Sequence, residues 1–197
     1  MSKVVEMKKV EKGVIGLKKS AICKERILNK ALPVIGEGNL NAKILFIGEA
    51  PGKKESETGK PFCGASGKVL DELLGYIKLD REKVYVTNIV KDRPPKNRDP
   101  KPEEIEMYSL FLDKQIEIIK PKIIVTLGRF SMEYIMNRYG LSQERDVISK
   151  IHGKVFNTKI CKQKVIVAPL YHPAVAIYNR NKIGELKKDF RKLSKYI

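Results

Sequence analysis

Residues 43–64 read KILFIGEAPGKKESETGKPFCG, a short, mostly apolar run followed by a polar loop rich in glycine, lysine and glutamate. Three similar runs follow: KVYVTN at 83–88, KIIVTL at 122–127 and KVIVAPL at 164–170. All four are rich in β-branched or aromatic residues and are nearly continuous rather than alternating, which is typical of strands buried on both faces of a parallel sheet. The sequence therefore predicts a central four-stranded parallel sheet.

The segments between these runs carry helical patterns of apolar residues. Ser66 is placed to cap one helix, Pro102 to begin a second, and a third follows Gly128. Strands that alternate with helices predict an α/β fold, a three-layer α/β/α sandwich. We expect a single domain over residues 1–197, with a core at about 20–180 and basic, poorly ordered terminal arms.

The composition points to a polyanionic partner, because the 40 Lys and Arg residues outnumber the 23 Asp and Glu residues and the net charge is +17. The alternative is a lysine-rich surface that only keeps the protein soluble, as at high temperature. No apolar run approaches the roughly 20 residues that span a bilayer, and the N-terminus does not resemble a signal peptide. We expect a cytoplasmic protein with no membrane partner.

The glycines and lysines of the first loop do not form a phosphate-binding loop. Gly48 and Gly52 are separated by three residues rather than four, and Lys53 is followed by Lys54 instead of Ser or Thr. The dinucleotide fingerprint GxGxxG is absent as well. The loop is therefore expected to bind something other than a nucleotide triphosphate.

Functional loops of open α/β sheets leave the carboxyl ends of the strands, which here read GEAPG, TN, LGRF and LYHP. Four segments, taken in order, resemble motifs of the family 4 uracil-DNA glycosylases of bacteria and archaea. They are GEAPG with Glu55, GKPFCG, VYVTNIVKDRPPKNRDP and LYHP. The resemblance runs from about Ser20 to Arg180. It implies a uracil-DNA glycosylase-like fold and a DNA repair enzyme that flips uracil out of DNA and hydrolyses its N-glycosidic bond, leaving an abasic site. The alternative is a non-catalytic module that binds uracil or damaged DNA.

A glycosylase must hold the flipped base in a pocket and read its edge and its faces. Phe62 can stack on the base, and the Asn88 amide matches the N3 hydrogen and O4 oxygen of uracil, whereas cytosine presents the reverse pattern. The resemblance suggests Glu55 as the wall that excludes thymine; the alternative is a solvated loop charge. The first loop is expected to contact the base and its sugar phosphate through Gly48, Ala50, Pro51 and Gly52.

The expected catalytic residues are His172, Glu49 and Asn88. His172 would donate a hydrogen bond to uracil O2 as negative charge develops on the leaving base; the alternative is a histidine that only packs. Ala50 occupies the place where other families carry an aspartate, so Glu49 is the nearest carboxylate. Glu49 either orients the attacking water or holds the loop through backbone hydrogen bonds.

DNA contacts are expected from two segments. The resemblance places an apolar wedge for the space left by the flipped base at 175–177, and phosphate contacts just after it. The basic KDRPPKNR segment at 91–98 is a second candidate, with a stiff solvated loop as the alternative. The partner is uracil-containing DNA, single- or double-stranded, bound by a nucleoid-associated monomer. The expected DNA-binding residues are Lys91, Arg93, Lys96, Arg98, Val175, Ala176, Arg180 and Lys182.

Most family 4 enzymes hold a four-iron, four-sulfur cluster with four cysteines. The matching positions here are Ser20, Cys23, Asp92 and Tyr108, of which only Cys23 is a cysteine. One thiolate cannot hold such a cluster, and Cys63 and Cys161 match none of these positions, so we predict no iron–sulfur cluster and no metal. We expect Tyr108 to fill the cluster's volume and Asp92 to pair with a neighbouring lysine.

Overall fold

The computed structural model describes residues 2–196 of the chain. The α-helices in this range are α1 (Lys3–Ile15), α2 (Ala21–Leu28), α3 (Lys53–Thr58), α4 (Ala65–Tyr76), α5 (Pro102–Ile119), α6 (Arg129–Arg138), α7 (Ile148–Ile151), α8 (Val175–Tyr178) and α9 (Ile183–Leu193). The strands are β1 (Glu37–Gly38), β2 (Ile44–Gly48), β3 (Tyr85–Asn88), β4 (Ile123–Leu127), β5 (Phe156–Ile160) and β6 (Gln163–Leu170). Short 3-10 helices lie at Arg81–Lys83, Pro95–Asn97, Arg180–Lys182 and Ser194–Tyr196.

The strands form one mixed sheet in the order β1-β3-β2-β4-β6-β5. The four central strands are parallel, as predicted, and their carboxyl ends meet at one edge of the sheet. The two edge strands pair antiparallel and were not predicted. β1 has only two residues, and β5 alternates between part-buried and exposed positions, so neither produces a continuous apolar run.

Helices cover both faces of the sheet, which confirms the three-layer sandwich. Each face of the sheet packs against its own apolar core, and alternate residues of β2 point into one core or the other. Leu45 and Ile47 pack with α1, α5 and α6, whereas Ile44 and Phe46 pack with α4 and α9. This period of two is the side-chain alternation of a strand. Because both faces are buried, the strand appears in the sequence as an unbroken apolar run.

The expectation of poorly ordered terminal arms was wrong. α1 begins after the N-cap Ser2 and buries Val10 and Val14 against the core, and it packs along α5. At the other end, α9 buries Phe190, whose ring stacks on Phe46 with centroids 6.0 Å apart. The lysines that suggested loose arms lie on the exposed faces of two amphipathic helices.

The predicted helix starts were accurate for α5 and α6, but not for α4. Pro102 is the first residue of α5, and α6 begins immediately after Gly128. Ser66 does not cap α4, because the helix begins at Ala65 with Gly64 at the N-cap and without a side-chain cap. In the part of the chain that the structure describes, no helix is long and apolar enough to cross a membrane.

Candidate active site

A cavity of about 500 Å³ lies where the parallel strands end. It is bordered by the loop after β2, by the segment before α4, by the end of β3 and by the loop after β6. The sequence-predicted residues Glu49, Ala50, Pro51, Gly52, Glu55, Phe62, Asn88, Arg98 and His172 all line it. Ser66, Pro94, Asn97, Asp99, Ala174 and Tyr178 line it as well. Motifs that are far apart in the sequence thus form one site.

Asn88 is the last residue of β3 and is only 2% exposed. Among the described residues its Oδ1 atom is buried and has no hydrogen-bond partner. Gly48 lies beside it in the sheet, and a Cβ at Gly48 would be 2.4 Å from that Oδ1 and 2.7 Å from Cζ of Phe62. Glycine is therefore required at position 48, because any side chain would displace both groups that face a ligand.

Phe62 forms an aromatic wall of the cavity and is held in an unusual backbone conformation. Its φ is +49°, in the left-handed region that bulky residues rarely adopt. The first turn of α4 packs closely on its backbone, since a Cβ at Gly67 would lie 1.8 Å from the Phe62 carbonyl oxygen. The ring lies 5.6 Å from the His172 ring, centroid to centroid, at an angle of 30°.

Glu55 is not a solvated loop charge, because it is only 7% exposed. Its Oε1 accepts hydrogen bonds from the backbone N–H groups of Cys63 (3.0 Å) and Gly64 (2.8 Å), next to the positive end of α4. A Cβ at Gly52 would lie 2.7 Å from its Oε2. The second carboxylate oxygen therefore occupies the space that a side chain at position 52 would take.

His172 has a defined tautomer. The backbone N–H of Ala174 donates to its Nδ1 at 3.1 Å, so Nδ1 accepts and the ring proton of the neutral form lies on Nε2. Burial lowers the pKa of His172 to about 4, against the opposing effect of the Glu55 charge. At neutral pH His172 is thus a neutral imidazole that can donate one hydrogen bond into the cavity.

Glu49 is a carboxylate of the cavity with a raised pKa. Burial and the negative charge of Asp99 raise its pKa to about 7, although the Arg129 guanidinium acts in the opposite direction. A carboxylate with this pKa can accept a proton from water near neutral pH. Neither Asp99 nor Arg129, which form an ion pair at 3.1 Å, was identified from the sequence. Their contribution depends on proximity across the cleft and leaves no local motif.

Two of the expected DNA contacts are wrong. Lys91 is fully buried, and Ala176 is only 2% exposed inside the core, so neither can touch a DNA backbone or enter a base stack. In the same segment the exposed apolar residues are Ile177 (46%) and Tyr178 (90%). Tyr178 was missed because the residue before a polar Asn-Arg pair carries no apolar pattern of its own.

The remaining candidates for DNA contact lie at or near the surface, and most of the basic ones donate hydrogen bonds to neighbouring side chains. Lys96 is exposed, and Val175 is half-buried against the core. The others donate to neighbouring side chains: Arg93 to Asn97, Arg98 to Glu104 through both terminal nitrogens, Arg180 to Glu72 and Lys182 to Glu185.

The four positions that match cluster ligands contribute to one buried group of side chains. The Ser20 hydroxyl accepts from the Cys23 N–H at 3.1 Å, and the Tyr108 hydroxyl donates to Oδ2 of Asp92 at 2.6 Å. The expected partner of Asp92 was wrong: it is Arg26, not a lysine, with Nε at 2.9 Å. Burial raises the pKa of Asp92, whereas Tyr108 and Arg26 counteract this shift.

Comparison with known proteins identifies relatives over most of the chain. The family model of the uracil DNA glycosylase superfamily matches residues 35–196. The type-4 uracil-DNA glycosylase of Sulfurisphaera tokodaii is 45% identical over 188 residues, which cover 95% of this chain and 83% of that protein. The type-4 enzyme of Archaeoglobus fulgidus is 47% identical over 81% of this chain and 79% of its own. That of Saccharolobus solfataricus is 48% identical over 81% and 74%.

Proposed function

The chain belongs to the uracil-DNA glycosylase superfamily and, within it, to the type-4 enzymes, and we propose that it excises uracil from DNA by hydrolysing the N-glycosidic bond. The observation that carries this function to the cavity is the buried Oδ1 of Asn88, which has no hydrogen-bond partner within residues 2–196. A buried acceptor without a partner is costly, and the N3 hydrogen of a flipped uracil would satisfy it.

Base selection follows from the same amide. With Oδ1 accepting from N3–H, the Asn88 amide nitrogen donates to O4, and Phe62 supplies a face for stacking. Cytosine has no hydrogen at N3 and an amino group in place of O4, so both groups of the amide would stay unpaired. Each unpaired buried group costs about 1–3 kcal/mol, which disfavours cytosine.

The leaving base departs as an anion, and His172 stabilises the charge that develops on it. Its Nε2–H donates to uracil O2, and the neutral ring needs no proton transfer to do so. Because the pKa of His172 is about 4, this donor persists across the neutral range. Preorganised donors of this kind contribute several kcal/mol to the lowering of the barrier.

Water is delivered to C1′ of the sugar by Glu49. Its raised pKa of about 7 lets the carboxylate accept a hydrogen bond and a proton from the attacking water. The departing uracil anion and the cationic sugar carry most of the charge change, so electrostatic stabilisation outweighs base catalysis. Glu49 therefore contributes less to the rate than His172.

Thymine is excluded by Glu55. Two backbone N–H groups fix its carboxylate, and Oε2 lies beside Gly52 at the edge of the cavity. A fixed group rejects the C5 methyl of thymine by contact, which a loose apolar pocket does poorly.

DNA is held by the net charge of +17 and by exposed side chains around the cleft. Ile177 and Tyr178 are the apolar groups placed to fill the space that the flipped nucleotide leaves, while Lys96, Arg93, Arg180 and Lys182 meet phosphates. The enzyme acts as a monomer on DNA in the nucleoid.

An iron–sulfur cluster does not fit the residues that occupy its place. Of the four positions only Cys23 offers a thiol, and that thiol donates to the Ser20 carbonyl. Asp92 is engaged by both Arg26 and Tyr108, and the Tyr108 side chain fills the space as a fully buried group. We propose that this protein works without a cluster. Iron analysis and the visible spectrum of anaerobically purified protein test this, and a cluster absorbance band would contradict it.

The proposed function is tested with a labelled oligonucleotide that carries one uracil opposite guanine, incubated in EDTA and then treated with alkali. Cleavage at the uracil by the wild-type protein, reduced in Asn88→Ala to a slow residual rate that is undetectable over the same incubation time, is the expected result. Uracil-selective binding without cleavage would contradict excision and identify a non-catalytic uracil-binding module.

A further inference from the structure

Lys91 is a fully buried lysine whose ammonium group contacts the backbone of Asn88, the residue proposed to read the base. Its Nζ donates to the backbone carbonyl of Asn88 at 2.6 Å, to Oε1 of Gln115 at 2.6 Å and to Oγ1 of Thr87 at 2.8 Å. None of these partners is a carboxylate. Burying a charge without an oppositely charged partner is unfavourable. Because the group is also out of reach of DNA, a role in binding phosphates does not explain why a lysine lies there.

The three partners are fixed as acceptors. The Thr87 hydroxyl donates to the Ile35 carbonyl at 2.7 Å, and the Gln115 amide nitrogen donates to the same carbonyl at 2.8 Å. Thr87 therefore offers a lone pair to Lys91, and Gln115 presents its oxygen. Three acceptors match the three N–H groups of an ammonium ion. Burial lowers the pKa of Lys91, while these acceptors stabilise its protonated form.

The contact to Asn88 lies where the sheet gives way to the loop. Asn88 is the last residue of β3, and the next two residues still donate backbone hydrogen bonds to the carbonyls of Gly48 and Glu49. The Asn88 carbonyl accepts from Lys91 three residues later and so closes a turn. Holding this carbonyl restricts the backbone rotation at Asn88, and the backbone angles of a residue limit the rotamers that its side chain can adopt.

We propose that Lys91 is a positioning residue for base recognition: it holds the Asn88 carbonyl and, through it, the direction of the Asn88 amide in the cavity. The inference rests on the proposed function, because the base that Asn88 reads is uracil. Lys91 itself touches neither base nor DNA.

The test is a double-mutant cycle on single-turnover excision of uracil, with the wild-type protein, Lys91→Met, Asn88→Ala and the double variant. Lys91→Met is expected to slow excision by about 10- to 100-fold, since small misplacements of a reading group have effects of that size. In the Asn88→Ala background the same change should alter the rate by less than about twofold, because the group that it positions is gone. Affinity for undamaged DNA should remain unchanged.

Lys3→Met is the matched control. Lys3 also donates to backbone carbonyls, those of Leu40 (3.0 Å) and Ile119 (3.1 Å), but at the edge of the sheet where the strands begin. It should leave the excision rate unchanged. Equal rate losses from Lys91→Met in both backgrounds, or no loss in either, would overturn the proposal.

A second pair of variants keeps the proposal testable if Lys91→Met does not fold. Thr87→Val removes one acceptor at nearly constant volume and should slow excision, whereas Thr87→Ser keeps the acceptor and should restore the rate. If Thr87→Val folds and excises at the wild-type rate, the proposal fails. If the wild-type protein excises nothing, the proposed function fails instead. The double-mutant cycle of Lys91→Met and Asn88→Ala is then measured on the ratio of affinities for uracil-containing and undamaged DNA. Lys91→Met should lower this ratio in the wild-type background and leave it unchanged in the Asn88→Ala background.

Discussion

Replacing Asp92 by Ala is expected to lower the free energy of unfolding by about 3–5 kcal/mol. Asp92 is 1% exposed and Arg26 is 9% exposed, so the change leaves a buried guanidinium without its carboxylate and the Tyr108 hydroxyl without its acceptor. Breaking a buried ion pair from one side has a cost of this size because the remaining charge cannot regain water. For a chain of this length, 1 kcal/mol corresponds to about 2–4 °C, so the melting temperature should fall by roughly 6–20 °C.

The assay is thermal and urea unfolding of the two variants Asp92→Ala and Glu117→Ala beside the wild-type protein. Glu117 pairs with Lys114 at 2.8 Å on the exposed face of α5, the helix that also carries Tyr108. An exposed pair of this kind contributes about 0.3–0.5 kcal/mol. If Asp92→Ala shifts the midpoint no more than Glu117→Ala does, the buried network is not what ties α2 to α5, and the reasoning is refuted.

Three further predictions concern the cavity. Gly48→Ala should reduce uracil excision by at least about 100-fold in a folded protein, because its Cβ would lie 2.4 Å from Oδ1 of Asn88; near wild-type single-turnover rates would contradict this. The excision rate should fall about tenfold per pH unit below the Glu49 pKa of about 7 and level off above it. Glu49→Gln should abolish this pH dependence while slowing the reaction less than His172→Ala does. An unchanged pH profile in Glu49→Gln would assign the titration to another group. Tyr178→Ala should weaken binding to a duplex with one flipped nucleotide more than binding to undamaged duplex, which a fluorescence titration of both DNAs measures; equal losses would exclude a wedge.

The central fold could be predicted from the sequence because the sheet is buried on both faces. A strand such as Ile44–Gly48 has no solvent-exposed positions, so its whole length is apolar. The edge strands have no such requirement, and Phe156–Ile160 alternates like any half-exposed segment. The terminal helices could not be predicted for a related reason. Half of each helix faces solvent, and the lysines of that half dominate a short window of sequence.

The candidate site also has a part that could be predicted from the sequence and a part that could not. Residues in local motifs at strand ends, such as Asn88 and His172, could be expected to share one cavity because parallel strands bring their carboxyl ends together, and both residues line it. Contributions that depend on burial or on distant partners could not be predicted. Lys91 looks like a basic loop residue in the sequence but is enclosed by Thr87 and Gln115, and the effect of Asp99 on Glu49 arises only across the cleft.

Lys91 and Asp92 are consecutive in the chain, yet their side chains serve two different networks. Lys91 joins the end of β3 and holds the base-reading residue, whereas Asp92 joins Arg26 and Tyr108 between the helices. The backbone of this dipeptide is therefore tied from both sides, and Val34 N–H also donates to the Lys91 carbonyl. The network that holds Asp92 in place therefore also keeps the neighbouring Lys91 in reach of the Asn88 carbonyl.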